Sequence, residues 1–130
     1  MPANNARQYH TQQTHYLQRT VAYNTPGISG GVLLGTIPAG AIILGTYVRV
    51  ETGFNAAITN VLTVGTLGDP GLDNIVTAGD VTEGSAGSAR IVGPLNRMPA
   101  DTDVMVSYTQ SGAAATAGLA HVVLEYVTNN

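Results

Sequence analysis

The sequence predicts an all-β protein: a jelly-roll-like β-sandwich of seven to eight antiparallel strands. Three observations indicate this class. Short segments in which apolar and polar residues alternate recur along the chain, with turn residues between them. Gly is abundant, with 16 residues, whereas Trp is absent and Phe occurs once. Finally, 130 residues are enough to bury one core, which indicates a single domain.

The longest strand-like run covers residues 37–52 and starts with the turn Pro38-Ala39-Gly40. Alternation with a period of two predicts a strand with one face in the core. The opposite face, with Tyr47, Arg49 and Glu51, is open either to solvent or to a partner. The predicted core face contains Ile42, Leu44, Thr46, Val48 and Val50.

The other strands follow the same alternation. The first, residues 14–23, has no strongly apolar face, which suits an edge strand or a strand at a subunit contact. We expect residues 32–36 to form a hairpin with the 37–52 run, and residues 103–110 to pair with residues 119–128. The predicted strands are residues 14–23, 32–36, 37–52, 61–66, 89–93, 103–110 and 119–128.

The pattern of residues 72–81 predicts a short helix or helical turn in this segment. Leu72, Ile75 and Val76 have helical spacing, and Asp73 suits a helix N-terminus. Phe54 lies in the loop that follows the longest run. A single Phe in such a loop is either a plug over the end of the sandwich or an anchor at an interface.

The N-terminal residues 1–13 are polar, almost free of aliphatic side chains and without periodicity. Two interpretations stay open: a disordered terminus, or an arm that becomes ordered on a neighbouring subunit. In the second, Tyr9 anchors the arm. The sequence therefore divides into an extended or flexible arm, residues 1–13, and one β-sandwich domain, residues 14–130.

Charged residues make up only 10% of the chain, against about 25% in ordinary soluble domains. Such sparse charge predicts either a surface largely covered by other protein or a small neutral domain with Thr, Asn and Gln outside. Lys is absent and the net charge is −3, so nucleic-acid binding is not expected. No secretory signal or membrane-spanning run is present, which predicts synthesis in a cytoplasm and no membrane partner.

No pattern of catalytic residues stands out, so we expect no enzyme activity, no cofactor and no resident metal. Cys is absent, and His10 and His15 do not have the spacing of a helical metal pair. Asp101 and Asp103, or Asp69 and Asp73, could ligate Ca²⁺ together with carbonyl groups, although neither pair matches an EF-hand loop. Turn chemistry explains the same aspartates.

Several segments together resemble small virion proteins of tailed bacteriophages, in particular the head decoration or cement group. The segments that carry the resemblance are Pro38-Ala39-Gly40-Ala41-Ile42, Val48-Arg49-Val50-Glu51-Thr52-Gly53-Phe54-Asn55, Leu62-Thr63-Val64-Gly65-Thr66, Gly68-Asp69 and Ala78-Gly79-Asp80-Val81-Thr82.

The resemblance implies a β-sandwich protomer that forms homodimers or homotrimers and binds the outside of the capsid. There it would stabilise contacts between subunits of the major capsid protein, and it would be located in the virion. For capsid or subunit contacts we expect Tyr9, His10, Tyr16 and Phe54. The alternative is a carbohydrate- or receptor-binding module of a phage tail or fibre, with Tyr47 or Phe54 in the site.

Overall fold

A computed structural model describes residues 14–93 and 97–128. This part of the chain contains seven strands: β1 (Thr14–Ala22), β2 (Val32–Ile37), β3 (Ile42–Thr52), β4 (Thr59–Thr66), β5 (Gly87–Val92), β6 (Thr102–Ser111) and β7 (Leu119–Val127). The N-terminal segment predicted to be an arm lies outside the described residues. Across the described ranges, no helix has the length and apolar character needed to cross a membrane.

The strands form two antiparallel sheets that pack face to face. The four-stranded sheet has the order β1-β7-β3-β5, and the three-stranded sheet has the order β2-β6-β4. Each strand lies in the opposite sheet from the strand before it, so every connection crosses the sandwich. This arrangement confirms the predicted all-β, jelly-roll-like sandwich. The first strand lies at an edge of the four-stranded sheet, which is one of the two positions that its pattern suits.

Two predicted strand pairings are wrong: that of residues 32–36 with the 37–52 run, and that of residues 103–110 with residues 119–128. β2 pairs with β6 and β3 pairs with β7 and β5, so β2 and β3 form no hairpin, and β6 and β7 lie in different sheets. A short connection suits a crossover between sheets about 10 Å apart as well as it suits a hairpin. Between β2 and β3 the chain reverses at Gly40, whose φ of 82° favours glycine.

The core face of β3 differs from the predicted one at its start. The register with β7 shifts between Ile43 and Gly45, so Leu44 is the extra residue of a β-bulge. Ile43 is therefore fully buried, whereas Ile42 and Leu44 are half-buried. Beyond the bulge the prediction is confirmed: Thr46, Val48 and Val50 are buried in the core.

The predicted helical turn at residues 72–81 is also wrong, since this segment consists of turns and one isolated bridge. The amides of Ile75 and Val76 donate to the carbonyl of Val64 at 3.0 and 2.9 Å, and the Val64 amide donates to Val76 at 3.2 Å. Bonds to β4 thus replace the bonds within a helix. The segment covers part of the β4 edge, where a further strand of a complete jelly roll would pair.

The core lies between the sheets, and its largest fully buried side chains include Tyr108, Phe54, Ile37, Ile43 and Leu62. At the β1–β2 side, Leu17 packs against Gly35, where any side chain would collide with it. Arg19 Nη1 donates to the Leu33 carbonyl at 2.8 Å and joins the same two strands. Side chains of β1 therefore connect the two sheets by packing against β2 and by a hydrogen bond to it.

Candidate interaction surface

The four-stranded sheet turns one face to the core and the other away from it, and we call the second the outer face. Alternation along each strand decides which side chains it carries. The register places them in cross-strand rows: Tyr16–Glu125–Gly45–Val92, Gln18–Val123–Tyr47–Arg90 and Thr20–His121–Arg49–Ser88.

Tyr47 and Arg90 are in contact on the outer face through two interactions. Arg90 Nε donates to Tyr47 Oη at 3.0 Å, and its Cζ lies 5.4 Å from the centroid of the Tyr47 ring. The hydrogen bond and the cation–π contact hold both side chains in place. Tyr and Arg are among the residue types that most often dominate binding energy at protein interfaces, particularly when they are preorganised.

A second set of polar contacts lies in the row of His121. Its Nδ1 is hydrogen-bonded to Thr20 Oγ1 at 2.9 Å, and its Nε2 lies 3.5 Å from Glu51 Oε1. Arg49 Nη1 donates to Ser88 Oγ at 3.2 Å. Charges of both signs are thus interspersed on this face and partly paired, and such a surface suits a protein partner better than a polyanion.

The first row has apolar side chains at both ends. Tyr16 on β1 is 60% exposed and Val92 on β5 is 66% exposed. Between them lie Glu125 and Gly45, and Gly45 has no side chain that projects from the sheet. The outer face thus combines an aromatic and an aliphatic contact with the polar residues of its centre.

The predicted contact residues have different positions. Tyr16 is exposed on an edge strand, whereas Tyr9 and His10 lie outside the described residues. Phe54 is only 2% exposed, and its ring centroid is 4.6 Å from that of Tyr108. It is therefore part of the core, which corresponds to the plug interpretation, and it presents no surface to a partner in this protomer.

Sequence reasoning identified Tyr47, Arg49 and Glu51 as one face of a strand, but it missed Arg90 and Val123 as their neighbours. Alternation within β5 and β7 gives the side on which these two residues lie. The pairing between distant strands, which brings them beside Tyr47, has no signal in the sequence.

Three of the four carboxylates considered for Ca²⁺ accept hydrogen bonds from groups of the protein itself. Asp101 Oδ1 accepts from the Ala39 amide at 2.9 Å, and Asp103 Oδ1 accepts from Thr36 Oγ1 at 2.7 Å. Asp69 Oδ2 accepts from the Asp73 amide at 2.8 Å. Among the residues that the structure describes, no group of three or more His, Asp or Glu side chains could hold a metal ion.

A cavity of about 330 Å³ lies beside β5, at the side of the sandwich opposite β1. Of its lining side chains, only Asp80 is acidic or basic, so the cavity offers no set of acid, base and nucleophile. The lining residues are Val48, Val50, Asp80, Val81, Thr82, Ser85, Ala86, Gly87, Ser88 and Ala89.

Comparison with known proteins gives similarities of structure only. No protein-family model and no curated protein sequence matches the chain. A chain of the cyanophage Pam1 capsid asymmetric unit has a TM-score of 0.68 and 20% identity, and the match covers 99% of this chain and 100% of that one. The fold is shared with bacteriophage capsid structures.

Two further capsids contain similar chains. In the acid-stable capsid of the Helicobacter pylori bacteriophage KHP30, the match has a TM-score of 0.65 and 14% identity and covers 87% of this chain and 86% of that one. In the capsid of Ralstonia phage GP4, the values are 0.59 and 18%, with 100% and 90% covered. At such identities the matches establish a common fold.

Proposed function

We propose that this chain is a structural virion protein that binds the outside of a phage capsid. In this role it stabilises contacts between subunits of the major capsid protein, as a decoration or cement protein does. The observation that carries the proposal is the match to the Pam1 capsid chain, which extends over essentially the whole length of both chains. The matched chain of that capsid is therefore about as long as this one.

The composition supports an accessory subunit. With charged residues at only 10%, the surface is suited to extensive contact with protein. The solvent-accessible area is 6859 Å². A standard specific interface takes about 800 Å² from each partner, which is roughly an eighth of that surface. One or two such contacts attach the protein to a preformed shell.

The outer face is the proposed contact with the capsid. Tyr47 and Arg90 are its central anchors because they are held against each other before any partner arrives. Exposed Tyr16 lies at its margin. Residues 1–13, with Tyr9 and His10, extend the contact as an arm, because an extended segment adds interface area at little cost in chain length.

The carbohydrate-binding alternative has less support. Sugars usually stack on exposed aromatic rings. The Arg90 guanidinium lies over the Tyr47 ring, and Phe54 is buried. Both aromatic residues that the alternative invokes are thus engaged with other parts of the protein.

Reconstitution on capsids that lack the protein tests the proposal. We expect the purified chain to bind such capsids and to raise the temperature at which they release DNA. Exchanging both Tyr47 and Arg90 for Ala should weaken binding by about tenfold or more. Thr109→Ala, at an exposed position of β6, is the matched control and should bind normally.

Deletion of residues 1–13 examines the arm separately: the domain should stay folded and attach more weakly. The proposal fails if the wild-type chain does not bind capsids. The choice of surface is wrong if the Tyr47 and Arg90 double variant binds as the wild type does. The arm is dispensable if the truncated chain decorates as tightly as the full chain.

A further inference from the structure

The edge strand β1 carries a row of backbone groups that no other described residue binds. The Tyr23 amide donates to the Gly118 carbonyl at 3.1 Å, which makes these two residues a hydrogen-bonded pair beyond the end of the β1–β7 ladder. Because bonded and non-bonded pairs alternate, Leu17, Arg19 and Val21 bond to β7. The amides and carbonyls of Thr14, Tyr16, Gln18 and Thr20 therefore point away from the sheet.

This open edge ends at Ala22. The Ala22 amide donates to Thr25 Oγ1 at 2.8 Å, and its carbonyl accepts from the Thr25 amide at 3.1 Å. The turn after β1 thus satisfies the next outward-facing groups. Along the open part, every residue whose backbone faces outward has an exposed, uncharged side chain.

The opposite edge of the sheet differs in charge. The Gly93 amide donates to the Leu44 carbonyl at 2.8 Å, so the outward-facing groups of β5 belong to Ser88, Arg90 and Val92. Arg90 stands in the middle of this short edge. A charged residue there disfavours strand addition, and pairing with a second copy would bring two like charges near each other. The described outward-facing residues of β1, in contrast, are all uncharged.

We propose that β1 pairs antiparallel with β1 of a second copy across a two-fold axis at Leu17, so that the two four-stranded sheets become one. Tyr16 then lies opposite the partner's Gln18, and Thr14 lies opposite the partner's Thr20. This register uses all the open groups and forms about eight hydrogen bonds between the subunits. An axis at Gln18 would oppose Thr14 to the partner's Ala22, whose groups are already bonded.

An antiparallel pair of identical strands is self-complementary, as a two-fold interface requires. It also enlarges the outer face. From strand spacing and rise per residue, the outer face of one protomer measures roughly 20 Å by 20 Å, about half the area that one partner contributes to a standard interface. If this face binds the capsid as proposed above, pairing supplies the other half.

Sedimentation equilibrium of the full-length chain tests the pairing. We expect a monomer–dimer equilibrium. Gln18→Pro should weaken the dimer by at least about tenfold, because it removes an edge donor and places a ring on the edge. Arg90→Pro makes the same change on β5 and should leave the dimer intact. Circular dichroism checks that both variants are folded.

Disulfide trapping keeps the test decisive if a proline variant does not fold. The chain has no Cys, so Tyr16→Cys and Gln18→Cys introduce single thiols. In the proposed register their Cα atoms lie about 5.5 Å apart, within disulfide range. A mixture of the two variants should form mixed disulfide dimers much faster than Ser88→Cys, the control on the β5 edge, forms its own.

A wild-type chain that stays monomeric at millimolar concentration would overturn the proposal. So would a folded Gln18→Pro variant that dimerises as the wild type does, or a mixture that crosslinks no faster than the Ser88→Cys control. Both measurements use the free protein without any capsid. Their failure would therefore leave the proposed function standing, and failure of capsid binding would leave the dimer standing.

Discussion

Glu83 Oε2 accepts a hydrogen bond from the backbone amide of Leu62 at 2.9 Å, although Glu83 is only 7% exposed. Leu62 lies in β4, an edge strand of the three-stranded sheet. The carboxylate thus accepts the hydrogen bond that the Leu62 amide would otherwise donate to a neighbouring strand. The Glu83 carbonyl also accepts from the Phe54 amide at 2.8 Å, so one residue fastens two segments.

Glu83→Ala should lower the free energy of unfolding by about 1–3 kcal/mol, because the buried Leu62 amide loses its acceptor. Glu83→Gln, which keeps a side-chain oxygen, should lose less. Urea denaturation measures both. Glu51→Ala is the control: its side chain is 57% exposed, and the change should stay within about 0.5 kcal/mol. An equally small effect of Glu83→Ala would show that the Leu62 contact contributes little.

We expect the protein to lose stability in alkaline solution because of Tyr108. Burial, and secondarily the negative charge of Glu83, raise the pKa of Tyr108 above its ordinary value of 10.0. The unfolded chain therefore releases this proton at a lower pH than the folded chain. The stability that protonated Tyr108 contributes to the folded protein is fully present below pH 10. It is lost as the pH rises through the pKa of Tyr108 in the folded state.

Urea midpoints between about pH 9 and pH 11 measure this effect. The wild type should lose more stability over that range than Tyr108→Phe does. At neutral pH the same substitution should cost about 1 kcal/mol, because the Tyr108 hydroxyl donates to Asn60 Oδ1 at 2.5 Å. Identical pH dependence in the two proteins would contradict the assigned burial of the Tyr108 hydroxyl.

Thr46 is fully buried in β3, and its hydroxyl has no hydrogen-bond partner among the residues that the structure describes. Thr46→Val keeps the shape and removes the unsatisfied group, so it should raise the free energy of unfolding by about 1 kcal/mol. Thermal and urea unfolding measure the gain. Thr109→Val, at an exposed position of β6, is the control and should change little. A destabilised Thr46→Val protein would mean that the hydroxyl has a partner.

Phe54 should contribute to the stability of the fold rather than to contact with a capsid. Phe54→Ala removes a ring packed on Tyr108 and should cost about 3–5 kcal/mol in the free energy of unfolding. Ile58→Ala, in the same loop at a side chain 74% exposed, should stay within about 0.5 kcal/mol. A fully stable Phe54→Ala variant with impaired capsid binding would contradict the plug interpretation and favour Phe54 as an interface anchor.

Alternation along the chain was enough to predict the class of fold and the buried face of β3 beyond its bulge. Leu62, Val64, Val104, Val106 and Tyr108 are buried as their spacing indicates. It was not enough for the pairing, because strands such as β3 and β7 are far apart in sequence and meet only through tertiary packing. The bulge at Leu44 also has no local signal, and it reverses the faces of the strand before it.

The outer face was predictable only in part, for the same reason. One strand shows Tyr47 and Arg49 on one side, but the contact between Tyr47 and Arg90 depends on the register of β3 against β5. Phe54 illustrates the opposite case. Its position in a loop left the plug and anchor interpretations open, and only its packing on Tyr108 distinguishes between them.

The most direct test of the proposed function is the copy number of this chain in purified, DNA-filled virions of the phage to which the proposal assigns it. Quantitative mass spectrometry gives that number relative to the major capsid protein. A decoration protein should be present in hundreds of copies, in a simple ratio to the major capsid protein. A handful of copies, as expected for a tail component, or none at all, would contradict the proposal.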